Sequence, residues 1–259
     1  MNRQLRLNIW LNLVYLGRNY LIMAVLGIMA LLFIVILSMF SSGGRGAAGM
    51  FIQLHSLVSA AAFLAAVMIV HNPIKDRTVK MIITKPCLPD EWAAASFLTV
   101  NLISIVLHLI ILVFAVIMFA ARPDAMGMDP STYIYIWISS VMAVMVFSSL
   151  LLFLTFFMPP VPAVAMMILL NNVVIARIMD YCFNYTGGMI MGIFYKIIGA
   201  VFYIIYLVVP YFSMENIMQA GQSADKDWPH LAVFTAYGFV TLGFYYFMSV
   251  YVVKKRNLI

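Results

Sequence analysis

Apolar positions along this chain come in long runs rather than in alternation, and the polar stretches between them are short. About 20 apolar residues in a helix span the hydrocarbon core of a bilayer. Run length therefore predicts six crossings, at 20–40, 50–70, 93–121, 132–158, 163–178 and 231–252. Ahead of the first, residues 4–19 carry Gln4, Asn8, Asn12 and Asn19 at spacings of four or nearly twice four, with Leu5, Ile9, Trp10, Leu13, Val14 and Leu16 between them. One polar stripe on an otherwise apolar helix predicts an interfacial helix lying in the headgroup plane, with Arg3, Arg6 and Arg18 facing phosphate.

The longest polar interruption has structure of its own. Asn72 followed by Pro73 is a helix-start signal and predicts a short amphipathic helix over 73–85. Ile74, Thr78, Met81 and Ile82 share one face; Lys75, Asp76, Arg77 and Lys80 occupy the others, and Lys85-Pro86 ends it. Pro89, Asp90 and Glu91 then open a new helix with acidic groups at its positive end. Further on, Pro159-Pro160-Val161-Pro162 cannot continue a regular helix and separates the fourth crossing from the fifth.

Charge supplies the topology. Ten of the 15 Lys and Arg residues fall in the N-terminal segment, the 71–92 loop and the last six residues. Short loops rich in Lys and Arg stay cytoplasmic, so the crossings between these segments must be even in number and both termini cytoplasmic. The apolar stretch 189–209 would make a seventh crossing, leaving Lys254, Lys255 and Arg256 outside and the acidic 211–230 segment inside. It is instead expected to dip into the outer leaflet and return, or to lie along it. The expected class is thus an all-α, polytopic membrane protein with six crossings and a single transmembrane domain over 1–259.

Composition agrees: the chain is 65% hydrophobic and 9% charged, against roughly 25% charged in soluble domains. The net charge of +6 reads as topology signal and attraction to anionic headgroups rather than as a nucleic-acid surface. Cys87 and Cys182 are expected on opposite membrane faces, so a structural disulfide is not. Asn8 and Asn12 interrupt the first apolar run, and no cleavable signal peptide is expected.

The chemistry expected is binding rather than catalysis. The sequence holds no GxxxxGK[ST] phosphate loop, no HExxH and no GxSxG, and its four histidines have no second ligand at metal spacing. No catalytic, cofactor or metal residues are assigned. The 21 methionines are spread through apolar runs and read as filler rather than as a copper site. Polar residues inside apolar runs mark a candidate pathway: Arg177 and Asp180, three apart on one helical face and able to pair, with Asn171 and Asn172 about two turns below. Lys196 falls in the 189–209 stretch, and Gly188 with Gly192 forms a GxxxG that permits close helix approach.

The order of these elements resembles the membrane subunit of a type-2 ATP-binding-cassette (ABC) exporter, and so does the local sequence. Lys75-Asp76-Arg77-Thr78-Val79 followed by Ile82-Ile83-Thr84-Lys85-Pro86 is similar to that family's loop between its second and third spans. Val208-Val209-Pro210-Tyr211-Phe212-Ser213 is similar to its Pro-containing stretch before the last span, while Asp90-Glu91-Trp92 stands where a basic residue is usual. The resemblance implies a permease in a bacterial inner membrane. Two copies of the chain would form the pathway above two copies of a separate ABC ATPase, which holds the ATP and Mg. The 73–85 segment would be the coupling helix: Arg77, Lys80 and Lys85 making ionic contacts, Ile74, Met81 and Ile82 packing, within the stretch that includes Lys75, Asp76, Thr78 and Pro86. An extracytoplasmic accessory protein would be a further partner. Two other expectations rest on the same features: an ATPase-coupled scaffold for an extracytoplasmic maturation or motility machine, and an integral membrane enzyme.

Overall fold

A computed structural model describes residues 3–41, 47–75, 89–121, 126, 128–169, 172–208 and 228–255. Among the described residues every regular element is an α-helix. In chain order these are α1 (Arg3–Gly17), α2 (Tyr20–Ser41), α3 (Ala47–Lys75), α4 (Pro89–Ala121), α5 (Pro130–Thr155), α6 (Pro160–Leu169), α7 (Asn172–Phe183), α8 (Met189–Val208) and α9 (Trp228–Lys255). Four of them, α3, α4, α5 and α9, contain stretches long and apolar enough to cross a membrane by themselves; counting two bent pairs as single spans gives six. The chain is a multi-pass helical protein.

The first bent pair is α1 with α2, at 72°. The bend falls at Gly17, Arg18 and Asn19. Asn19 does not continue the polar stripe of α1. Its side-chain oxygen accepts from the Leu21 amide at 3.0 Å and caps α2. The rest of the stripe also departs from expectation: it faces protein. Asn8 is buried, and Asn12 donates to Thr99 of α4, while Leu7, Trp10 and Leu11 point outward. In an apolar solvent the polar groups are the ones that gain by turning inward.

The second correction concerns Asn72-Pro73, which starts no new helix because α3 runs through it to Lys75. A proline removes one hydrogen bond, and two residues from the helix end that loss is tolerated by the long apolar helix already propagated. The rest of the 73–85 segment lies outside the described residues. The third concerns 163–178, which is not one rod: α6 and α7 meet at 59°. The prolines behave as the sequence dictates. α5 ends at Thr155, and Pro160 and Pro162 sit in the first turn of α6, where no intrahelical amide bond is lost.

The centre of the bundle is α5, which packs against α3, α4 and α9. Its buried face carries Ser139, Ser140, Ala143, Ser148 and Ser149, and α3 presents Ala61, Ala62, Ala65 and Ala66. Small residues let helix backbones approach in lipid, where apolar side chains gain little by leaving the solvent. The hydroxyls are satisfied locally: Ser139 donates to the Tyr135 carbonyl at 2.8 Å and Thr155 to Leu152 at 2.7 Å. Between helices, Asn101 of α4 donates to Ser149 of α5 at 3.1 Å.

Two apolar cores result. One joins α1, α2, α3, α4, α5, α6 and α9 around Trp92, whose ring meets Phe156 edge-on at 5.6 Å. The other joins α2, α3, α4 and α5 around Met29, Leu54, Ile111 and Tyr133.

Candidate functional site

Three features of the sequence meet at the Trp92 end of the bundle. The end of α3 and the start of α4 bracket residues 76–88, which hold most of the basic loop. The start of α4 carries Asp90 and Glu91 in its first turn. Lys254, in the last turn of α9, forms an ion pair with Asp90 at 2.9 Å. That contact brings the end of α9 beside the start of α4. α1 packs along the same half of α4, with Leu16 in the Trp92 core and Arg3, Arg6 and Arg18 exposed. The start of α4 and the end of α9 therefore lie together at this end of the molecule.

Of the residues assigned to coupling, Ile74 and Lys75 form the end of α3. Asp76, Arg77, Thr78, Lys80, Met81, Lys85 and Pro86 lie outside the described residues.

The candidate pathway residues are partly brought together. Asn171 lies outside the described residues, and Asn172 is the first residue of α7. Arg177 and Asp180 line one cavity of about 400 Å3 with Tyr181, Asn184, Tyr185 and Thr186. The Asp180 carboxylate accepts from the Asn184 side-chain amide at 2.6 Å rather than from Arg177. Asn184 lies one turn further on the same face, and its short amide reaches the carboxylate with little loss of side-chain freedom. Arg177 is left exposed at the cavity rim. Beside it Tyr181, Tyr185 and Tyr195 form an aromatic cluster, with ring centroids 5.7 Å apart for Tyr181 and Tyr195 and 4.2 Å for Tyr185 and Tyr195. The close approach of α7 and α8 is made at Gly199, where an added Cβ would lie 3.2 Å from Cys182 and Phe183. Gly188 and Gly192, the expected GxxxG pair, face open space.

One constellation escaped the sequence reading. His55 of α3 and His108 of α4 are 1% and 0% exposed, and their rings stack at 5.1 Å with planes 22° apart. Tyr133 of α5 lies 6.1 Å from His55, ring to ring. His108 Nδ1 is 2.7 Å from the Ser104 carbonyl, and Trp137 of α5 donates its indole N–H to the His108 carbonyl at 2.8 Å. Both ring nitrogens of His55 and Nε2 of His108 have no hydrogen-bond partner among the described residues. Each buried polar group left so costs about 1–3 kcal/mol. The two histidines are 53 positions apart, so spacing could not reveal them; the readable signal is a polar residue inside an apolar run.

No family model, curated protein or solved structure matches the chain.

Proposed function

We propose that this chain is the membrane permease subunit of an ATP-driven exporter of the ABC class, working as a dimer on a separately encoded ATPase. The observation that supports it most is the Lys254–Asp90 ion pair, which joins the end of α9 to the start of α4 at one end of a multi-pass bundle. In this reading that end is the cytoplasmic face of a bacterial inner membrane, and both termini lie there. Residues 76–88 are the contact with the ATPase. They link α3 and α4, both packed against α5. A push on this link moves two long helices as rods against the centre of the bundle, and ATPase dimerisation biases the arrangement. The bent α6–α7 pair and α8 then form the outer-leaflet part of the pathway, with Arg177 and Asp180 at a polar cavity.

The test is co-purification of the tagged chain in gentle detergent or nanodiscs from its native host. An ABC ATPase is expected to come out with it, and Arg77→Glu with Lys80→Glu to reduce its recovery by at least about tenfold, roughly the 1.4 kcal/mol expected from two lost ionic contacts. Recovery of the wild-type chain with no nucleotide-binding subunit would reject the proposal. ATP-dependent solute accumulation in vesicles then separates a transporter from an ATPase-coupled scaffold.

A further inference from the structure

We propose that the polar cavity at the α7–α8 turn binds one zwitterionic phospholipid headgroup of the phosphoethanolamine type, its phosphate on Arg177 and its ammonium on Asp180. This goes beyond the exporter reading, which puts the same cavity in its pathway: binding needs no ATPase, so either can fail alone.

An unmet charge carries the argument. Arg177 and Asp180 are three apart on α7 and both line the cavity, yet Asp180 takes the Asn184 amide at 2.6 Å. Among the described residues the Arg177 guanidinium has no hydrogen-bond or ion-pair partner. It presents five N–H donors in a planar fork and cannot shed its proton, and a phosphate meets that fork with two parallel bonds. In an apolar solvent such a cation needs an anion. Asp180 is engaged through Oδ1, so among the described residues Oδ2 remains for a donor. The cavity thus sets a fixed cation beside a fixed anion, with no net charge. A phosphate ester that carries a primary ammonium matches both. An anionic headgroup brings nothing to Asp180, and a quaternary ammonium has no N–H for its oxygen. Only hydrogen bonds and ion pairs form; no covalent bond changes.

The surroundings favour a lipid over a soluble phosphate ester. Tyr181 and Tyr185 line the cavity with amphipathic rings of the kind enriched at headgroup level. Tyr185 lies 4.2 Å from Tyr195, ring to ring, and Gly187 makes room for it, since an added Cβ there would run into the Tyr185 ring. Just past the turn, Ile190, Phe194, Ile197, Val201 and Ile204 recur at spacings of four and three and form an exposed apolar stripe along α8. A headgroup held at the turn lets its acyl chains cover that stripe. The cavity volume of about 400 Å3 falls in the range of small-ligand sites, roughly 300–1,000 Å3. Lys196, the other charged residue of α7 and α8, does not line it.

Native mass spectrometry of the full-length chain, delipidated in detergent and offered phosphatidylethanolamine, phosphatidylcholine or phosphatidylglycerol, tests this. One phosphatidylethanolamine per chain is expected to be retained in preference to the other two. Arg177→Gln is expected to weaken its binding by about tenfold, whereas Lys196→Gln, which removes the same charge outside the cavity, leaves it unchanged. Asp180→Asn makes the cavity cationic and is expected to shift the preference to phosphatidylglycerol. Glycerophosphoethanolamine, the same headgroup without acyl chains, is expected to bind at least about tenfold more weakly; equal binding would make this a site for a soluble ester and overturn the lipid assignment. Equal retention of the three lipids overturns the proposal, as does an Arg177→Gln chain that binds like the wild type or an Asp180→Asn chain that keeps the wild-type preference. If the variants do not fold, the wild-type order among the three lipids decides.

Discussion

The α3–α5 pair and the α7–α8 hairpin are both rich in apolar residues, yet one is enclosed and the other is nearly bare. In its most apolar stretch α5 is 72% buried, whereas Met189 and Ile190 of α8 are 84% and 85% exposed. Mean apolarity does not separate them. What separates them is which residues are covered: Ala61, Ala62, Ala65 and Ala66 on α3 and Ser139, Ser140, Ser148 and Ser149 on α5 are buried, while Ile190, Phe194, Ile197 and Tyr203 on α8 stay exposed. Where the solvent is itself apolar, large side chains have no reason to leave it, and small or hydroxylated ones decide which helices touch. α8 also closes on α7, at Gly199 against Cys182 and Phe183 and at Tyr195 against Tyr181.

The comparison breaks first at its aromatic anchor. Trp92→Ala removes a side chain that is 2% exposed and is expected to cost about 3–5 kcal/mol, whereas Phe194→Ala on α8, at 57% exposure, is expected to stay within about 0.5 kcal/mol. Unfolding in detergent compares them, and equal losses would mean that α8 is as well packed as α4. A smaller effect sharpens the polar part. Asn101→Ala and Ser149→Ala, with the double variant, are expected to give a coupling of about 0.6–1.7 kcal/mol for the α4–α5 hydrogen bond; a cycle that closes at zero would remove this bond from the account. The smallest effect belongs to the exposed ion pair. Asp90→Asn or Lys254→Gln is expected to cost about 0.2–1 kcal/mol in low salt and less as salt rises. A loss that ignores ionic strength would point to packing instead of charge.

Much of the architecture was legible because run length and proline placement are local properties. Pro130, Pro160 and Asp129 do what any sequence with those residues would do: the Asp129 side chain accepts from the Ser131 amide, and Pro130 opens α5. Two kinds of information were not local. Whether a polar stripe faces water or protein depends on what packs against it, so Asn8 and Asn12 gave the stripe but not its direction. Whether two polar residues meet depends on helix pairing. His55 and His108 meet through the packing of α3 on α4, and Arg177 and Asp180 share a cavity while Asn184 takes the carboxylate. Asn72-Pro73 failed for a third reason: a start signal is read from a few residues, but a long helix already under way can run through it.

The contact between Asn12 and Thr99 also has a consequence in time. Asn12 of α1 hydrogen-bonds to a partner 87 residues further along the chain. At about 5–20 residues per second, that partner is synthesised roughly 4 to 17 s later. Until then the Asn12 amide lacks this partner and is best served by water at the bilayer surface. Docking of α1 on α4 thus follows synthesis of α4, and a chain truncated before Thr99 is expected to leave α1 accessible to protease.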